Sequence, residues 1–151
     1  MTQAFTHRFT EIQQPGGTLF PASRVANIYS TDWLDMVNHQ RIVFLLSVGA
    51  MAQGSTVQLC IEQADINQAN NTLLFPSGLT ICTTALTAAA GDGNDLINVE
   101  VRADQMTSNY RYLRGNLVIT GGAVLTALTP LRDTSGYAPV SVAGWTEIVA
   151  S

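Results

Sequence analysis

The stretch RIVFLLSVGAMAQG, Arg41 to Gly54, constrains the fold more than any other part of the chain. Its apolar run, Ile42 to Ala52, is broken only by Ser47 and Gly49. It falls well short of the about 20 apolar residues of a membrane-crossing helix. Asp32, Asp35, Asn38, His39 and Arg41 before it, and Gln53, Gly54 and Ser55 after it, do not extend it. The first ten residues are polar and carry His7 and Arg8, so neither a membrane span nor a targeting leader is expected. Val43, Phe44, Leu45, Leu46 and Val48 include strong β-formers, and a glycine-bearing bend follows. Next comes TVQLCIEQ, where Val57, Leu59 and Ile61 alternate with Gln58, Cys60 and Glu62, as in a half-buried strand. A continuous apolar run beside an alternating one predicts a β-hairpin, 42–49 with 56–63, whose first strand is buried on both faces.

The remainder has the same character. Ala4 to Ile12 alternates loosely and reads as a first strand or an extended arm. QQPGG, 13–17, is a turn, because Pro15 fixes φ and Gly16 and Gly17 permit positive φ. Leu19 to Ile28 contains Pro21 and stays open. Ser30-Thr31-Asp32 looks like a helix N-cap ahead of one short helical turn through Trp33, Leu34 and Met36, with Asp32 and Asp35 as capping carboxylates. Ala64 to Asn71 is a polar loop, and 72–95 holds one or two strands broken at Pro76-Ser77-Gly78, with Leu79, Ile81, Thr83 and Ala85 able to share one face. After the tight loop Asp92 to Asp95, Ile97, Val99 and Val101 alternate with Asn98, Glu100 and Arg102. Tyr110 to Thr120 is a long strand in which Gly115 marks a bulge. Gly121-Gly122 is a hairpin turn, and AVLTALT is the returning strand. About seven to nine strands with almost no helix predict an all-β fold, an antiparallel β-sandwich with the jelly roll as first choice and extended terminal arms. The expected organisation is an N-terminal strand or arm over 1–18, a β-sandwich domain over 19–133, and a C-terminal arm or last strand over 134–151.

At 151 residues one domain with a full core is expected. Charged residues make up only 12%, all seven basic residues are arginine, and the net charge is −4. No basic patch is available for phosphates, so a nucleic-acid partner is not expected. A surface resting on Thr, Ser, Asn and Gln suits packing against other protein. Cys60 and Cys82 match no zinc or redox spacing. Two free thiols are expected, although a disulfide between them is geometrically open. His7 and His39 are the only histidines, and no G-x-S-x-G occurs. His39 reads as a surface histidine, and DTSG, Asp133 to Gly136, as a turn. The Asp92, Asn94, Asp95 loop lacks the ligand order of a calcium loop. No catalytic constellation, cofactor or metal site is expected.

Two segments carry a resemblance. Asn27 to Ala64 opens on Asp32-Trp33 with Asp35-Met36, then runs through an apolar strand into Val48-Gly49-Ala50-Met51 and an alternating strand. Asp95 to Gly122 contains Val99 to Asp104 followed by Tyr110-Arg111-Tyr112-Leu113-Arg114. Together, over somewhat under half of the chain, these resemble small virion proteins of tailed bacteriophages. The resemblance implies a head protein, a decoration or cement protein on the capsid exterior. Its expected partner is the major capsid protein, its expected state a homotrimer, and its expected place the virion surface after synthesis in the host cytoplasm. A head–tail connector or tail-tube protein is the alternative, and a carbohydrate-binding β-sandwich a second one. The expected contact residues are Arg111 and Arg114, which fall on opposite faces of a strand so that one meets a subunit while the other faces solvent or pairs with a carboxylate such as Asp104. Tyr137, Val140, Val142, Trp145 and Ile148 of the apolar tail complete the set, because such a tail cannot be left in water.

Overall fold

The computed structural model describes residues 13–64, 73–74, 82–88 and 93–133. Among these residues eleven strands run in order: β1 (Gln13–Pro15), β2 (Leu19–Arg24), β3 (Asn27–Ser30), β4 (Leu34–Asp35), β5 (Arg41–Met51), β6 (Thr56–Ala64), β7 (Leu73–Leu74), β8 (Leu86–Thr87), β9 (Asp95–Arg102), β10 (Tyr112–Thr120) and β11 (Val124–Asp133). Between β9 and β10 lies one 3₁₀ turn, Ala103–Gln105.

All pairings are antiparallel and form two sheets. The first has the order β1-β11-β5-β9, with β2 continuing β1 along β11. The second has the order β3-β10-β6-β7, with β4 continuing β3 along β10 and β8 continuing β7 along β6. Merging each continued pair leaves eight strand positions, four to a sheet. Numbered along the chain they stand 1-8-3-6 in the first sheet and 2-7-4-5 in the second. That order is the double Greek key of a jelly roll.

Two expected hairpins are therefore corrected. β5 pairs with β11 and β9, while β6 pairs with β10, β7 and β8, so residues 52–55 cross between sheets. β10 and β11 likewise lie in different sheets. Gly54 (φ +78°) and Gly121 (φ +76°) supply the positive φ that each corner requires. The corners pack on one another: Ala52 N–H donates to the Ala123 carbonyl at 2.8 Å, and a Cβ on Gly121 would lie 2.6 Å from the Gly54 carbonyl oxygen.

The core lies between the sheets. Ile42, Phe44 and Leu46 of β5, Val101 of β9 and Leu128 of β11 meet Val57, Leu59 and Ile61 of β6 and Leu113, Leu117 and Ile119 of β10. Burying each side chain of this kind contributes about 1.5–3 kcal/mol. β5 alternates instead of being buried on both faces: Val43 and Leu45 are half-buried and Ser47 is exposed on its outer side. Gln63 is fully buried, and its amide exchanges two hydrogen bonds with Thr107, accepting from the backbone N–H at 3.0 Å and donating to Oγ1 at 2.6 Å.

Three local expectations also change. QQP is the strand β1, and the bend falls at Gly16-Gly17. The helical turn after Ser30 is the strand β4, because Leu34 and Met36, two apart, are both buried. Gly115 marks no bulge, since β10 keeps unbroken register with β6. It is required instead by close approach across the sandwich: a Cβ there would lie 3.0 Å from Leu128 Cδ2 and 3.1 Å from Phe44 Cδ1. The expected strand or arm over 4–12 and the C-terminal arm lie outside the described residues.

Candidate assembly surface

Arg111 precedes the ladder of β10 and is anchored by its backbone, donating to Ala64 O at 2.9 Å and accepting from Met36 N–H at 2.9 Å. Its guanidinium grips Asp35 with two bonds, Nε to Oδ1 at 2.7 Å and Nη2 to Oδ2. That bidentate bond holds the Asp35 carboxyl below its usual range against the opposing effect of burial, helped by the Val37 N–H and the charges of Arg111 and Arg132. The carboxylate in turn holds Arg111 more firmly protonated. Arg132 donates to the Asp35 carbonyl at 2.9 Å, and burial lowers its pKa.

Arg114 lies on the outer face of β10. Its Nε donates to Glu62 Oε2 at 2.6 Å, and the guanidinium stacks on the Trp33 ring at 4.4 Å. The two arginines thus reach the same segment, Trp33 to Asp35, and do not serve opposite faces of one strand. Their carboxylate partners are Asp35 and Glu62, whereas Asp104 is taken by Arg102. Asp32 and Asp35 cap no helix. His39 is not an exposed histidine either: its side chain is 9% exposed, and Nδ1 donates to the Asp133 carbonyl at 2.5 Å. Tyr137, Val140, Val142, Trp145 and Ile148 lie outside the described residues.

The cysteines correct another expectation. Cys60 and Cys82 form a disulfide, directly opposite one another where β6 meets the interrupted edge position of the second sheet. Thr83 completes the ladder on either side, donating its N–H to Leu59 O at 2.9 Å and accepting Leu59 N–H at 3.1 Å through Oγ1. Cys60 does point away from Val57, Leu59 and Ile61, as its alternation implied, but onto a partner.

The outer faces of the two sheets differ in kind. The second carries Thr56, Gln58, Glu62, Arg114, Asn116 and Thr120, tied by bonds such as Thr56 to Thr120 at 2.5 Å, interspersed with Ile28, Cys60, Ala64, Tyr112 and Val118. Across the first, the registers place Ala127, Ser47 and Leu96 in one row, Thr129, Leu45 and Asn98 in the next, and Leu131, Val43 and Glu100 in a third. Phe20 is 75% exposed, Leu96 71% and Leu125 44%. Charge gathers at one end, where His39, Arg41, Glu100, Arg102 and Asp104 line an open depression of about 510 Å³ and Arg41 lies 3.7 Å from Glu100. This apolar face was missed from the sequence, although a signal existed. Leu19-Phe20, Leu96-Ile97 and Val124-Leu125 are apolar doublets, and two successive strand residues cannot both point into the core.

Among the described residues no helix is long and apolar enough to cross a membrane, and no three His, Cys, Asp or Glu side chains cluster to hold a metal. No family model matches the chain, and no curated protein matches it by sequence. By structure the chain is similar to the VP2 subviral particle of infectious bursal disease virus (12% identity, TM-score 0.48, covering 82% of this chain and 33% of that one). It is similar also to structures of the Gx strain of that virus (13%, 0.47, 84% and 34%) and of its Gt strain (8%, 0.45, 84% and 34%). The chain thus spans about a third of the length of the solved chains it matches. The jelly-roll assignment rests on strand order, not on this likeness.

Proposed function

We propose that this chain is a non-enzymatic structural protein of a virus particle, and more narrowly a decoration or cement protein seated on the outside of a tailed-bacteriophage capsid. In this reading it is a homotrimer bound to the major capsid protein, with Arg111, Arg114 and the apolar residues of 134–151 as contacts. The observation that carries the reading is the division between the two outer faces. One sheet presents hydrogen-bonded and ion-paired polar groups, Arg114 among them, and the other an apolar surface suited to other subunits whose charges, Arg41, Glu100 and Arg102, gather at one end. The fold alone hosts many functions; the resemblance of 27–64 and 95–122 to phage virion proteins supports the class. A disulfide suits a protein that works outside a reducing cytoplasm, as a released particle does.

A cement protein adds buried area across joints between capsid subunits. Binding only the assembled shell stabilises that state by mass action, and about 800 Å² per partner suffices for a specific contact. Particles depleted of the protein are expected to assemble with normal geometry yet release DNA at lower temperature, with recovery when purified protein is added back. An unchanged release temperature, or particles unable to join a tail, would move the assignment to a connector. Binding on a glycan array without capsid binding would move it to a carbohydrate-binding module.

A further inference from the structure

Strand β6 is secured unequally on its two sides. Toward β10 it holds an unbroken ladder from Thr56↔Thr120 to Ala64↔Tyr112. On the other side, among the described residues, it holds two pairs with β7, two with β8, and the isolated bridge Cys60–Cys82 between them. The disulfide thus sits at the middle of a broken edge. Beside it, Thr83 N–H donates to Leu59 O at 2.9 Å, Gln58 Nε2 to Thr83 O at 2.8 Å, and Ala88 N–H to Ser55 O at 3.1 Å. Leu59 N–H donates at 3.1 Å to the Thr83 hydroxyl, which stands where a ladder carbonyl would. These bonds bring the two cysteines opposite one another without help from the sulfurs. Cys60 is fixed besides by its pairing with Asn116 of β10, and Val57, Leu59 and Ile61 on either side of it are locked in the core. What the sulfur link adds therefore falls on the edge segment, 82–88.

We propose that Cys60–Cys82 is a redox latch on this edge. With the thiols reduced, 82–88 opens locally from β6 while both sheets stay folded; oxidation shuts it. Local opening draws on the least-bonded segments of a fold, and an opened β6 presents unpaired backbone N–H and C=O groups to other chains. Closure moves two electrons and two protons from the thiols to a small-molecule disulfide. Cys82 is half-buried and Cys60 only 6% exposed, so the Cys82 thiolate attacks first and releases one small thiol. The Cys60 thiolate then attacks the Cys82 sulfur and releases the second. The latch lies wholly within the sandwich and stands whether or not the chain belongs to a virus particle.

The test is native-state hydrogen exchange on the full ¹⁵N-labelled chain, oxidised and then reduced with excess dithiothreitol. Protection of the Leu59, Thr83 and Ala88 amides is compared with that of the β10 amides. On reduction the ratio of edge to β10 protection should fall at least tenfold, with the near-UV circular dichroism retained, and reoxidation by oxidised glutathione should restore it. Acid quenching during reoxidation should trap glutathione on Cys82. An unchanged ratio would show that the bond acts on the whole fold alike. Loss of the near-UV signal would make it a staple of the fold. Either result, or glutathione trapped on Cys60, overturns the proposal.

Discussion

Gly115→Ala sets two effects of opposite sign against one another. Replacing glycine restricts the unfolded chain and by itself stabilises by about 0.4–1 kcal/mol, since the backbone here lies outside the positive-φ region. Against this, the new methyl would sit 3.0 Å from Leu128 Cδ2 and 3.1 and 3.2 Å from Phe44 Cδ1 and Cε1. Ordinary carbon contacts are about 3.5–4.0 Å. Neither neighbour has room to move, because Phe44 and Leu128 are both fully buried between the sheets. The Gly115 backbone is pinned as well, its N–H donating to Thr31 Oγ1 at 3.0 Å and its carbonyl accepting Thr31 N–H at 2.9 Å. Overpacking of this kind costs about 1–3 kcal/mol, so packing wins and a net loss of about 1–2 kcal/mol is expected. For a chain of this size that lowers Tm by about 2–8 °C. Urea denaturation with calorimetry measures it, and Phe44→Leu in the same background should relieve the part of the clash that the ring makes, giving a favourable coupling of at least about 0.5 kcal/mol. A Gly115→Ala protein as stable as the parent, or an additive double-mutant cycle, would refute the reasoning.

Three further outcomes are expected. Replacing Cys60 and Cys82 by Ala opens a loop with a sequence separation of 22 and should destabilise by about 3 kcal/mol; alkylation of two thiols in unreduced, unfolded parent protein would instead show that no bond exists. The Arg111 bond holds Asp35 below its ordinary value in the folded state, so its contribution is present above the ordinary carboxylate range and lost as pH falls through the folded value. Tm of the parent should therefore drop more steeply than that of Asp35→Asn as pH is lowered from about 4, by an amount within about 1 kcal/mol because the pair is partly exposed. Arg114→Ala should cost about 1 kcal/mol by removing both the Glu62 pair and the Trp33 stack. Arg114→Lys should recover only part of it, since an ammonium does not stack as a planar guanidinium does; full recovery, read from Tm, would argue against the stack.

Strand identity was legible in the sequence because it is local. Alternation with period two over 56–63 and 95–102, and the apolar weight of 42–48, place β6, β9 and β5 where the structure has them, and enough such segments make the chain all-β. What the sequence could not determine is partnership. Val57, Leu59 and Ile61 alternate identically whether β6 folds back on β5 or crosses to the other sheet, so only packing of the corners at Gly54 and Gly121 decides between a hairpin and a jelly roll. Ser30-Thr31-Asp32 caps a helix as readily as it leads into β4; burial of Leu34 and Met36 and the grip of Arg111 on Asp35 choose the strand. Gly115 looks like a bulge until Phe44, far away in the chain, is set against it. Cys60 and Cys82 become neighbours only when the edge of the second sheet is assembled. The apolar doublets state that one residue of each pair must face outward, and tertiary structure alone gathers Phe20, Leu96 and Leu125 onto one sheet. Periodicity depends on a residue's immediate neighbours along the chain, whereas sheet membership, close approach and surface patches depend on contacts between segments that periodicity does not encode.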